Sequence, residues 1–209
     1  MREENNPKER ILKTASRLFA HKGYGVVGIR EIAREADVNI SMISYYFDGK
    51  MGILKAILSD FFAKYVAILE ETIDDSRPPE VCLHDTARQI VYLLKENEQA
   101  ALVLFAQMPL DAPEITEMKL EKIKTIFNYF SRLFHRFGID PQKHPRTMAI
   151  IGPAFVSMAF SNFLIKPISS RLFPVEYDDD FYEHYCDMLT GFMINNIKML
   201  RNNLDKGAD

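Results

Sequence analysis

Apolar residues recur along most of the chain at spacings of three and four, the period of helices that each bury one stripe. Ile11, Ala15, Leu18 and Phe19 form the first stripe, and His21-Lys22-Gly23 closes it with a basic turn and a terminal glycine, which predicts a helix over about 8–22. Ile29, Ile32, Ala33 and Ala36 mark a second over 28–36. After the turn Asp37-Val38-Asn39 a third runs from Ile40 to Tyr46 or Phe47, where Asp48-Gly49 ends it. A longer helix follows over 51–73, before the double proline Pro78-Pro79. The remaining pattern predicts helices near 80–95, 98–108, 113–137, 146–166 and 179–204. Their boundaries come from Pro109 and Pro113, from Gly138-Ile139-Asp140-Pro141, and from the stretch Lys166 to Asp180 with Pro167, Pro174 and three successive aspartates. No alternation of apolar and polar residues is sustained, and no Asn-Gly or Asp-Gly turn is flanked by β-branched runs, so the expected fold is all-α.

Composition narrows the classes. A chain of 209 residues makes one large domain or two small ones, and 47% hydrophobic with 26% charged residues supplies both a core and solubility, which excludes a wholly disordered chain. No apolar run approaches the roughly 20 residues of a membrane span, and the opening MREENNPKER lacks the apolar core of a secretory signal; no membrane partner and a cytoplasmic location are expected. Cys82 and Cys186 match no zinc spacing and no CxxC pair, so both read as reduced, buried thiols. There is no P-loop, no glycine-rich dinucleotide turn and no Gly-x-Ser-x-Gly elbow, and none of the five histidines follows a glutamate by three positions; neither an enzyme nor a cofactor is expected. The net charge of −3 hides a mild asymmetry. Residues 1–50 carry nine Lys/Arg against seven Asp/Glu, and residues 51–209 seventeen against twenty-two, which permits a DNA-facing front and an acidic rear.

Two short helices joined by a three-residue turn, the second only two turns long, have the proportions of a DNA-binding helix-turn-helix. If Val38, Ile43 and Phe47 pack inward against Leu18, Ile32 and Ala33, the outer side of the second helix holds Ser41, Met42, Ser44, Tyr45 and Tyr46. That face is small and polar at its start and aromatic with hydroxyls at its end, which suits a major groove between two phosphate backbones. Lys50 opens the next helix, where a cation and free backbone N–H groups together hold a phosphate.

The stretch Arg10 to Leu54 resembles the DNA-binding domain of the tetracycline-repressor-like (TetR) family of bacterial transcription regulators. The landmarks are Ala15 with Leu18-Phe19, Gly23-Tyr24, Arg30 with Ile32-Ala33, Ala36 then Val38, Ile43, Tyr46-Phe47 and Lys50. The resemblance implies that Arg30 reaches the DNA backbone or a base edge, that Ser41, Met42, Ser44 and Tyr45 lie against the groove, and that Tyr46 and Lys50 hold phosphates. The alternative for Tyr46 is an aromatic seal of the small core, and for Met42 a solvent-facing spectator. Two departures stand out: Val27-Gly28 replaces the family's usual Thr and Ser or Thr, removing a side-chain cap from the second helix, and Asp37 stands where the family often has glycine. The implied architecture is a helix-turn-helix DNA-binding domain over 1–50 and a helical effector-binding and dimerisation domain over 51–209. The implied function is a sequence-specific regulator, a repressor released from palindromic double-stranded DNA by a small molecule. The resemblance also implies a homodimer through helices 146–166 and 179–204, and both carry more large apolar residues than one face needs.

Helix 113–137 carries Phe127, Phe130, Phe134 and Phe137 at helical spacing, with Phe105 and Met108 just before it. Such a stripe is either ordinary core or the wall of a mostly apolar pocket oriented by Asn128, Asn162 or Gln107. In the second reading Phe105, Met108, Phe127, Phe130 and Asn162 receive a small hydrophobic or amphipathic effector. The alternatives are a ligand-independent regulator and a metal-responsive one. The latter would use Asp180, His184 and Asp187, which share one helical face, but a further ligand would be needed and that face reads first as a solvated polar surface.

Overall fold

Short polar residues and prolines set the helix ends in the computed structural model, which describes residues 6–109 and 112–204. Asn6 caps α1 (Pro7–Lys22) by accepting the Lys8 N–H at 3.0 Å, and Gly23, at φ 86°, ends it. There follow α2 (Ile29–Glu35), α3 (Ile40–Phe47), α4 (Lys50–Thr72), α5 (Pro79–Glu96) and α6 (Glu98–Leu102), which runs into a π-helical turn at Val103–Gln107. The last three are α7 (Pro113–Arg136), α8 (Pro145–Leu172) and α9 (Asp179–Leu204). Among the described residues there is no strand, and the expected all-α class is borne out.

Three expectations need correction. The helix expected over 98–108 is a short α-helix followed by five residues of π-helix, a widening that apolar periodicity cannot reveal. The helix expected to stop at Lys166 continues through Pro167 to Leu172: a proline removes one backbone hydrogen bond, and this helix holds two internal prolines, Pro153 and Pro167. The same helix is also long and apolar enough to cross a membrane by length and composition. Its apolar residues are interrupted by Gly, Ser, Asn and Pro rather than by charge, so no unbroken run appears although Arg146 and Lys166 enclose nineteen uncharged positions. In the structure α8 packs against α5 and α9.

The chain divides into two compact units, residues 1–64 with 97–121 and residues 65–96 with 122–209. Segment 1–50 lies within the first, where α1 packs on α2, α3, α6 and the π-turn around fully buried Ile11, Phe19, Ile32, Ile43 and Leu54. In the second, α5, α8 and α9 meet over buried Phe163, Tyr182 and Cys186. Burial pushes the Cys186 thiol up to about 11, so it stays protonated, and Cys82 is buried as well. One acidic residue per turn of α9 faces a basic residue of α5: Asp179 meets Lys95, Glu183 takes Arg88 through both carboxylate oxygens and Tyr92 at 2.8 Å, and Asp187 lies 3.2 Å from His84. These pairs are solvent-exposed, so their role is to fix register between helices that apolar burial already holds together.

Candidate nucleic-acid interface

α1 is the platform on which the helix-turn-helix is mounted. Leu18, Phe19, Ile32, Ala33, Ile43 and Phe47 are buried together, and the predicted inward face of α3 holds except that Val38 is only half-buried. Gly28 precedes α2 without a side-chain cap, as the sequence implied. The turn between the helices is closed by the Val38 N–H donating to the Ala33 carbonyl at 3.0 Å, with Asp37 in the left-handed region at φ 51°. That conformation favours glycine, and Asp tolerates it at modest cost. A second hold comes from α1: the Arg10 Nη2 donates to the Asp37 carbonyl oxygen at 2.8 Å. Twenty-seven positions separate the two residues, so no local sequence pattern announces the contact.

α3 starts at Asn39, whose Oδ1 accepts the Ser41 N–H at 2.9 Å and the Ser41 hydroxyl at 2.8 Å. It ends at Asp48, φ 55°, followed by Gly49, φ 97°, which turns the chain sharply into α4. Between these ends the burial pattern separates the faces. Ile43 and Phe47 face inward, while Ser41, Ser44 and Tyr45 are exposed, Tyr45 to 81%. Met42 and Tyr46 are half-buried, and the Tyr46 ring lies edge-on to Tyr45 at 4.9 Å. Arg30, in the first turn of α2, is exposed and pairs with no carboxylate among the described residues. Ile40, at the head of α3, is also exposed, which the sequence reading had not singled out.

Lys50 has partners that were not foreseen. Its ammonium donates to the carbonyl oxygens of Tyr24 and Val27, each at 2.9 Å, and sits 4.4 Å from the centre of the Tyr24 ring. Two of three N–H donors are thus engaged in pinning the loop between α1 and α2, and one remains for another acceptor. Burial raises the Tyr24 phenol, which keeps that ring neutral under the cation. Two other cations of this segment face carboxylates within the protein: Arg17 pairs with Glu35 and Lys22 with Glu31, and the Arg17 bond holds the Glu35 carboxyl below its usual range.

Of the five residues read as a pocket wall, two fall in the first unit and three in the second. Phe105 belongs to the π-turn and Met108 follows it, both in the first unit. In the second unit Phe127 is exposed, and Phe130 borders a cavity of about 10 Å³ among Leu83, Phe134, Phe137 and Phe155, room for one water at most. Asn162 borders a groove of about 300 Å³ between α8 and α9, with Met158, Ser161, Tyr185, Met188 and Phe192. There the Tyr185 hydroxyl donates to the Met158 carbonyl, and burial pushes it up to about 12. Asp187 of the alternative metal triad is directed to His84, and among the described residues no group of three or more His, Cys, Asp or Glu could hold an ion.

Residues 11–57 match the family model described as bacterial regulatory proteins, tetR family. Over its length the chain is similar to YttP of Bacillus subtilis, a probable HTH-type transcriptional regulator, with 26% identity over 196 residues that span 86% of this chain and 88% of the relative. Another regulator of the same organism, YvkB, is 37% identical over 67 residues, 32% of this chain and 35% of its own. Among solved structures, a TetR-like regulator from Rhodococcus sp. RHA1 superposes with a TM-score of 0.68 at 14% identity, covering 91% of this chain and 95% of that one. FadR of Bacillus halodurans does so at 0.66 and 16% identity, with coverage of 88% and 97%.

Proposed function

The chain belongs to the TetR family of bacterial transcription regulators, and from that premise we propose that it is a cytoplasmic repressor released from a palindromic operator by a hydrophobic or amphipathic small molecule. The observation that carries the reading is the sorting of α3. Its inward residues complete a closed core, and its outward residues remain uncovered on an eight-residue helix, short enough to lie in one major groove. On this reading Ser41, Met42, Ser44 and Tyr45 face base edges, while Arg30, Tyr46 and the free donor of Lys50 contact the backbone.

One recognition helix discriminates poorly among a genome's competing sites, and a two-fold dimer supplies the second. α8 and α9 carry the interface. Leu164, Ile168 and Leu172 stand exposed one turn apart on α8, and Met199 is exposed near the end of α9. An uncovered apolar face of this extent suits a copy of itself, and it accounts for the membrane-like composition of α8. The groove beside Asn162 is mostly apolar with Ser161, Asn162 and Tyr185 as its polar groups, a lining suited to an amphipathic effector. Release by that effector requires it to favour the non-binding state; a swing from 1:99 to 99:1 takes about 5.5 kcal/mol of differential affinity.

Selection of duplexes from a random-sequence pool tests the reading. The expected product is an inverted repeat with half-site centres about one helical turn, or a multiple of it, apart. Enrichment of no duplex at low salt, or of unrepeated single sites, overturns it.

A further inference from the structure

The first turn of α3 presents Ile40 and Ser41. Ile40 is 39% exposed, while Ile43 and Phe47 of the same helix are 0% and 7% exposed, so the small core closes without it. Ser41 donates its hydroxyl hydrogen to Asn39 Oδ1, which leaves it only lone pairs to offer outward. The N-terminal residues of a recognition helix are those that meet base edges. At that position this chain places a branched hydrocarbon, and beside it a hydroxyl restricted to accepting.

A hydrocarbon set against the edge of guanine, adenine or cytosine covers donors and acceptors and leaves them without partners. The major groove holds one group that gains from such contact, the C5-methyl of thymine. We infer that Ile40 is a specificity-determining residue that packs on a thymine methyl in each half-site. This rests on the proposed reading of α3 as the DNA-reading helix.

The test removes only the methyl. Each thymine of a duplex selected by the full-length protein is replaced in turn by deoxyuridine, and binding is measured for the wild-type chain and for Ile40→Ala. Burying one carbon's worth of apolar surface predicts that the wild-type protein loses about fourfold at one thymine per half-site, and about fifteenfold when both half-sites are changed. Ile40→Ala should bind the thymine and deoxyuridine duplexes alike at that position, with Ile40→Val intermediate. The inference is overturned if no single replacement weakens wild-type binding by twofold, or if Ile40→Ala stays as sensitive as wild type. It is overturned too if Ile40→Ala loses its helical circular dichroism, because Ile40 would then belong to the core. A chain that selects an inverted repeat but ignores every methyl removes this inference alone; a chain that selects no duplex removes the DNA reading with it.

Discussion

Replacing Lys50 with methionine separates the two roles the residue can hold. Methionine keeps an unbranched apolar stem but removes the ammonium, and with it two bonds of 2.9 Å to the Tyr24 and Val27 carbonyls and a ring contact at 4.4 Å. A hydrogen bond to a charged group contributes about 1.5–3 kcal/mol net, and a cation over a partly exposed ring about 0.5–1. Lys50 is half-buried and water can reach the freed carbonyls, so the low end of each range applies and the combined loss is about 3.5 kcal/mol. That loss falls on the loop over 23–28, which positions the start of α2. Amide hydrogen exchange of the DNA-free protein reads it locally: protection in this loop and the first turn of α2 should fall roughly 400-fold, with α9 unchanged. Exchange in the loop that stays within about twofold of wild type would refute the pinning role. If the third donor also takes a phosphate, the dependence of log affinity on log salt flattens by about one unit per half-site.

Arg10→Met should weaken operator binding and raise exchange at Asp37 and Val38 while leaving dimerisation intact, because it frees the Asp37 carbonyl and touches nothing on α8 or α9; unchanged affinity would dispose of the clamp. Ile168→Asp places a charge on a side chain 70% exposed in the single chain, so the helices should still form while sedimentation shifts from dimer to monomer; a persistent dimer would move the interface elsewhere. The Arg88 bond, then the Tyr92 hydroxyl, holds Glu183 down at about 2 against an ordinary 4.5. A carboxyl depressed on folding stabilises the folded state above its unfolded value and loses that contribution as pH falls through the folded one. The urea midpoint of wild type should therefore exceed that of Glu183→Gln near neutrality, and the gap should narrow between about pH 4.5 and 2. A gap that ignores pH would deny the ion pair its part.

What the sequence disclosed was mostly local. Asn6-Pro7, Gly23, Asn39 and Asp48-Gly49 each end or start a helix by their own backbone preferences, so α1 to α3 were legible within a residue or two. Period 3.6 then sorted Ile43 and Phe47 inward from Ser41, Ser44 and Tyr45. Long-range contacts were not legible. The partners of Lys50 lie 23 and 26 positions back, and Arg10 meets a carbonyl 27 positions ahead. Pro167 stops a helix by its own chemistry, yet packing carried α8 past it, and the π-turn at 103–107 has no signature in apolar spacing. The sequence marks Ile40 only as the start of a helix; its solvent exposure reveals a residue that the core does not use.

The pairing of Arg17 with Glu35 and of Lys22 with Glu31 bears on how a target is found among random sequence. Attraction to arbitrary DNA scales with the cations available to displace condensed counterions, and here Arg17 and Lys22 each already face a carboxylate. On the proposed reading each such pair withholds one cation from unrelated stretches of chromosome and so shortens the stay there.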